Sequence, residues 1–459
     1  MNVVQSTNTF ILKNISSKIK TWLGLDRVVF VTVVGQSLSL ALAPISLYII
    51  GTFFSKVEQG YYYTFASVLA LQNFLELGLS VCITIFASHE FANLQMDKDG
   101  RVYGDSNSRS RLIFLIRFAL RWYGVVSILF FILVGTGGHL FFSRNNYGIN
   151  WIVPWWSLCF VSAINIITVP VWAFLEGCNQ YLWTAYTRIW TRIAGVVVIW
   201  LSIVAGAGLY SASLSLFGTI LIFIMLFCLK WKGLVRQLFT DNIVTFISWK
   251  KEILPFQWKI ALGWACGYFI FSLFTPVLFA FQGAAVAGQM GMTWAITSSL
   301  GGLASSWVNV KVSSFGMLVI KKEWRKFDEL WIKSTIQSLS ITIVGAVSIL
   351  IVMAYIKGRF TIGERFLGYK EIVVLCLAII VNQIIYCENL YMRAHGKEPF
   401  LKLFILNAIL TGSFVYLAGR YFDALAVCVV YLFFITLSMI LASMVFIRRK
   451  KEWHAIEMR

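Results

Sequence analysis

The chain has 459 residues, 59% of them hydrophobic and 13% charged, with a mean hydropathy of +0.78 and a formal net charge of +19. A soluble domain carries about 25% charged residues, so a cytosolic enzyme, a disulfide-built secreted domain and a disordered tail are all excluded. The chain uses lipid as its solvent.

A spanning helix needs about 20 apolar residues, and the elements follow in order. In residues 1–27, Phe10, Ile11, Ile15, Ile19, Trp22 and Leu23 recur at helical spacing among Lys13, Lys18 and Lys20. That pattern predicts an N-terminal arm with a short helix lying on the inner leaflet. Val28–Ser55 is free of charge and makes span 1; Tyr61 to about Ala87, interrupted only by Glu76, makes span 2. Trp122–Ser143 and Asn145–Leu175 carry spans 3 and 4. Ile193–Leu229 is charge-free for 37 residues, too long to cross once, and its Ala205-Gly206-Ala207-Gly208 break divides it into spans 5 and 6. Ile260–Val310 splits in the same way near Gln282-Gly283 into spans 7 and 8. Ser334–Ile356, Ile372 to about Tyr391, Leu403–Gly419 and Ala424–Ile447 are spans 9 to 12. The expected fold is an all-α integral membrane protein of about twelve transmembrane helices in two six-helix lobes, 28–240 and 241–447, ending in a basic tail, 448–459.

Lys and Arg accumulate in cytoplasmic loops. With the N-terminus inside, 28 of the 39 Lys and Arg fall in inner segments and 7 in outer loops, which predicts that both termini are cytoplasmic. This accounts for the net charge through anionic headgroups, and no soluble basic domain remains for nucleic acid. Pro44, Pro170 and Pro276 are positioned to kink spans 1, 4 and 7.

Charges at membrane depth are costly and mark cavities or partners. Glu76 in span 2 and Glu388 in span 10 each read as a protonation or cation-coupling site, or as a carboxylate paired with an Arg to hold helices together. Arg117 and Arg121 are four apart and share one face of span 3, as Arg188 and Arg192 do on span 5. Lys259 opens span 7 beside Trp258, either as an interface anchor or as a cavity residue. All five cations fall toward the cytoplasmic end, and facing inward they would form a basic vestibule for an anion, with guanidinium pairs suited to phosphate. Asn165, Asn309, Asn382, Gln383 and Asn389 read first as interhelical hydrogen-bonding residues.

Enzyme signals are thin. Asp97-Lys98-Asp99 matches the DxD of sugar transferases but stands in a short loop without a nucleotide-binding fold. The eight Cys and four His show no metal spacing, and there is no Walker loop. No metal or cofactor is expected.

Particular segments resemble a known family. They are Glu58-Gln59-Gly60-Tyr61-Tyr62-Tyr63-Thr64-Phe65, Phe74-Leu75-Glu76-Leu77-Gly78-Leu79-Ser80 running on to Ala87-Ser88-His89-Glu90, and Pro255-Phe256-Gln257-Trp258-Lys259-Ile260-Ala261-Leu262. Gly267-Tyr268-Phe269 and Ala287-Gly288-Gln289-Met290-Gly291-Met292-Thr293 belong with them. Together they are similar to the polysaccharide-transport (Wzx-like) branch of the MOP flippase superfamily. The resemblance implies a V-shaped two-lobe bundle in the bacterial inner membrane. It also implies H⁺- or Na⁺-coupled flipping of an undecaprenyl-diphosphate-linked oligosaccharide (an O-antigen of lipopolysaccharide, capsule or exopolysaccharide unit). Membrane lipids and other polysaccharide-assembly proteins are the implied partners. A MOP-type small-molecule exporter and a membrane enzyme or scaffold of polysaccharide assembly are the alternatives.

Overall fold

The computed structural model describes residues 27–144, 147–241, 249, 254–309, 311–395 and 399–456; the arm expected to carry the interfacial helix lies almost wholly outside them. The first half runs α1 (Arg27–Phe53), α2 (Lys56–Leu69), α3 (Gln72–Glu76) and α4 (Leu79–Phe91), then a hairpin of β1 (Leu94–Met96) and β2 (Val102–Gly104). It continues through α5 (Ser106–Ser143), α6 (Ile152–Gly177), α7 (Tyr181–Val204), α8 (Tyr210–Lys230) and the short α9 (Lys232–Thr240). The second half runs α10 (Leu254–Phe271), α11 (Phe274–Gln282), α12 (Ala284–Asn309), α13 (Val312–Ile320) and α14 (Trp324–Ile356). A 3₁₀ turn (Thr361–Arg365), α15 (Tyr369–Ala394), α16 (Leu401–Tyr421) and α17 (Ala424–Ile456) complete it.

Helix dominates because backbone groups in lipid must find partners within their own segment. Among the described residues nine helices are long and apolar enough to cross a membrane, or eleven when each of two bent pairs is one span. The expected eighth span is α12, a charge-free helix of 26 residues rich in Gly, Ser and Thr.

The two halves repeat one packing scheme. In the first, α7 packs on α1 and α8, α6 on α4, α5 and α8, and α4 on α5. In the second, α16 packs on α10 and α17, α15 on α12, α14 and α17, and α12 on α14. Span for span these are the same neighbours.

The breaks have local causes. Gly206 (φ +80°) and Gly208 (φ +53°) turn the chain between α7 and α8, and Gly283 (φ +95°) does so between α11 and α12. Span 7 bends by 41° between α10 and α11. Pro276 lies four residues past Ser272, whose carbonyl loses its helical donor there. Pro44 and Pro170, by contrast, sit inside continuous helices. Span 2 bends by 47° at Leu77-Gly78, where both residues are left-handed (φ +54° and +64°). Gly78 is doubly required, since a Cβ there would lie 2.4 Å from Ile260 Cγ2 of α10.

Asp97-Lys98-Asp99 forms the hairpin turn. Asp97 Oδ1 accepts the N–H groups of Asp99 (3.0 Å) and Arg101 (2.7 Å), and Tyr103 donates to Oδ2. α9 docks on this hairpin through Gln237, which accepts from Val102 N and donates to Val102 O. Seven of the eight cysteines are buried and Cys228 is exposed.

Candidate functional site: a cavity between the lobes

The lobes meet chiefly along α2 and α12, with α1 against α12, α2 against α11, and α3 and α4 against α10. At the end bearing Lys56 the approach is close enough to require glycine. A Cβ on Gly60 would stand 1.9 Å from the Ala284 carbonyl oxygen, one on Gly288 would stand 2.7 Å from Gly60 N, and one on Gly291 would stand 2.3 Å from Tyr63 Cβ. Buried Gln59 crosses the seam, its Nε2 donating to the carbonyls of Gly288 (2.9 Å) and Arg365 (3.0 Å). Lys56 pairs with Glu364 at 2.8 Å. Beneath them Tyr61 packs against Phe279 (centroids 4.9 Å apart), Phe142 and Trp151. Each such ring pair adds about 0.5–1.5 kcal/mol beyond area burial. This end is sealed.

Behind the seal lies a cavity of about 570 Å³ between α1, α2, α7 and α12, lined among others by Gln36, Ser46, Tyr62, Tyr63, Ser299 and Ser306. Arg192 is the one charged residue lining it among the described residues. Arg192 Nη1 donates to the Gly35 carbonyl of α1 at 2.9 Å, and the side chain remains exposed. Farther from the seal the Ser306 hydroxyl donates to Gln36 Oε1, linking α12 to α1 across the cavity. A second recess of about 360 Å³ between α1 and α7 shares Gln36 and Arg192 with the first and adds Arg188 and Glu176.

The five expected cations separate. Arg192 and Arg188 come together at the α1–α7 face, with Arg188 held by Glu176 (2.7 Å) and lying over the Trp172 ring (4.7 Å). Arg117 does not join them. Its Nε and Nη2 donate to the carbonyls of Leu238 (2.7 Å) and Asp241 (2.8 Å), closing the C-terminal end of α9. Arg121, one turn on, is exposed and lines neither recess. Lys259 falls within α10, and its side chain lies outside the described residues.

Neither deep carboxylate pairs with an arginine among the described residues. Glu76 Oε1 accepts from the buried Tyr123 hydroxyl at 2.9 Å, beside the break in span 2. Glu388 Oε1 accepts from Ser443 at 2.7 Å, while its Oε2 is buried without a hydrogen bond among the described residues. No three His, Cys, Asp or Glu side chains among the described residues gather as a metal site. Sequence reasoning missed Gln36, Tyr62, Tyr63 and Ser306 as cavity residues. Gln36, the one amide side chain in Val28–Ser55, carried a signal.

Solved structures of MOP superfamily transporters match this two-lobed bundle over nearly the whole chain. An inward-facing multidrug resistance MATE family transporter of that superfamily superposes with a TM-score of 0.59 at 10% identity, covering 88% of this chain and 97% of that one. The lipid II flippase MurJ, in an inward closed conformation, gives 0.67 at 12% identity over 90% and 86%. A MOP superfamily transporter from Pyrococcus furiosus gives 0.53 at 13% identity over 92% and 94%. At such identities the likeness is one of fold. No protein-family model matches the sequence, and no curated protein matches it.

Proposed function

We propose that this chain is a flippase that carries a polyprenyl-diphosphate-linked oligosaccharide across the bacterial inner membrane, with its basic end and both termini cytoplasmic. The carrying observation is the cavity between the lobes, whose one lining charge among the described residues is Arg192. A cationic, otherwise neutral chamber suits an anionic diphosphate, and the lipid tail can stay in the bilayer while only the headgroup crosses. The seal at the Lys56 end fits a chamber loaded from the opposite, basic side. The lipid II flippase with the same fold is in keeping with a lipid-linked cargo.

Transport by alternating access requires the Gly60–Gly288 seal to part while Gln36–Ser306 holds the other side shut. Glu76 and Glu388 are the proposed coupling residues for H⁺ or Na⁺. Glu388 suits a proton carrier because one oxygen is buried without a hydrogen-bond partner among the described residues, a costly arrangement for an anion. MATE transporters among the fold neighbours support a second reading as a drug exporter, but Arg192 in the chamber repels cationic cargo. The polymer served would be O-antigen, capsule or exopolysaccharide.

The test is Arg192→Ala in a strain lacking the gene. A charge-assisted contact contributes about 1.5–3 kcal/mol, so transport should fall by roughly tenfold or more with membrane insertion unchanged. Normal surface glycan in that strain would remove Arg192 from the mechanism.

A further inference from the structure

The second lobe encloses a cavity of its own, of about 520 Å³, where α10, α12, α15 and α16 meet. That lies within the roughly 300–1,000 Å³ of small-molecule sites. Its wall on α15 is a polar stripe: Asn382, Tyr386, Asn389 and Arg393 fall at i, i+4, i+7 and i+11 on one helical face and all line the cavity. Asn407 of α16 joins them, buried, and Trp264 of α10 adds an aromatic surface.

Two features decide the chemistry. Among the described residues no Asp or Glu lines this cavity, and Arg393 is its one charged lining residue. The cavity is therefore unsuited to a cation. Amides that offer both donors and acceptors beside indole and phenol rings suit a neutral polyhydroxyl ligand, because the amides match hydroxyl groups and the rings cover its apolar faces. Sugars have that chemistry, whereas an acyl chain would leave the amides unpaired at a cost of about 1–3 kcal/mol each.

This cavity also adjoins the chamber that holds Arg192. Gly302 of α12 lines both, and a Cβ built on it meets nothing within 4 Å, so the ridge between them is lowest there. We infer that the second-lobe cavity is the saccharide subsite of the cargo, with Asn382 and Asn389 binding sugar hydroxyls while the diphosphate sits at Arg192 across the Gly302 ridge. This rests on the flippase reading above.

Binding by the purified full chain is measured by native mass spectrometry with two probes. One is bare undecaprenyl diphosphate; the other is the lipid-linked oligosaccharide extracted from cells lacking the gene. Asn382→Leu and Asn389→Leu should each weaken the saccharide-bearing lipid tenfold or more and leave the bare diphosphate within twofold, which also certifies the fold. Arg192→Ala should weaken both. Equal loss of the two probes in the Asn variants, or no loss of either, overturns the subsite and leaves the flippase reading intact. Failure of the wild-type chain to bind either probe overturns the flippase reading and the subsite with it.

Discussion

Replacing Gly60 with Ala should unlock the seal. The added Cβ would stand 1.9 Å from the Ala284 carbonyl oxygen, against the 3.0 Å below which real Cβ contacts essentially never occur. The lobes must therefore part by about 1.1 Å locally, since the obstructing atom is backbone and has no rotamer to change. Overpacking of this kind costs about 1–3 kcal/mol, and the clash arises only when α2 of one lobe meets α12 of the other. The intrinsic preference of α2 for Ala over Gly, about 0.5–1 kcal/mol, is common to closed and open forms and cancels between them. At about 2 kcal/mol the sealed state loses roughly thirtyfold in population relative to the parted one. The assay places a cysteine at Ser299, on the chamber wall, in a Cys228→Ala background that removes the one exposed thiol. A membrane-impermeant maleimide applied from the Lys56 end should label the Gly60→Ala form at least tenfold faster. An unchanged rate would mean that this glycine contact does not close the chamber, and the reasoning would fail.

Three further outcomes are expected. Arg117→Ala should lower thermal stability by exposing the α9 carbonyls, each charged hydrogen bond contributing about 1.5–3 kcal/mol, while leaving substrate affinity unchanged in the native mass-spectrometric titration. Gln59→Leu leaves the Gly288 and Arg365 carbonyls without their donor, so it should raise Ser299→Cys labelling in the same direction as Gly60→Ala. Acid should act on the seal too. The hydrogen bond from Lys56 and its charge hold the Glu364 carboxyl below its usual value of 4.5. Its contribution is thus complete above that value and lost as the pH falls through the depressed one, so labelling should rise only in that acidic window. The rise should be small because the pair is exposed and screened, and Glu364→Gln should abolish the pH step.

Much of the architecture was legible because lipid leaves few choices. Charge-free runs set the spans, and Gly-rich breaks at 205–208 and 282–283 turned the chain where expected, since glycine there adopts the left-handed or extended geometry that other residues resist. The bend in span 2 was not legible: Leu77-Gly78 carries no proline, and the residue packed against Gly78, Ile260, comes from the other lobe. The same limit governed the site. Arg192, which shares a face of span 5 with Arg188, lines the chamber. Arg117 is paired with Arg121 on a face of span 3 in the same way, yet it closes α9, a helix that returns to it about 120 residues later in the chain. Helical spacing assigns a face, and the neighbour occupying that face is decided by tertiary packing. Glu76 and Glu388 were identified by depth, but their hydroxyl partners Tyr123 and Ser443 lie on other spans.

The central claim is tested most directly by extracting lipids from a strain lacking this gene and quantifying undecaprenyl-diphosphate-linked oligosaccharide by mass spectrometry, with and without a plasmid copy. The account predicts that a complete repeat unit accumulates on the carrier, is cleared by the wild-type plasmid and persists with Arg192→Ala. No accumulation, with surface glycan intact, would contradict it.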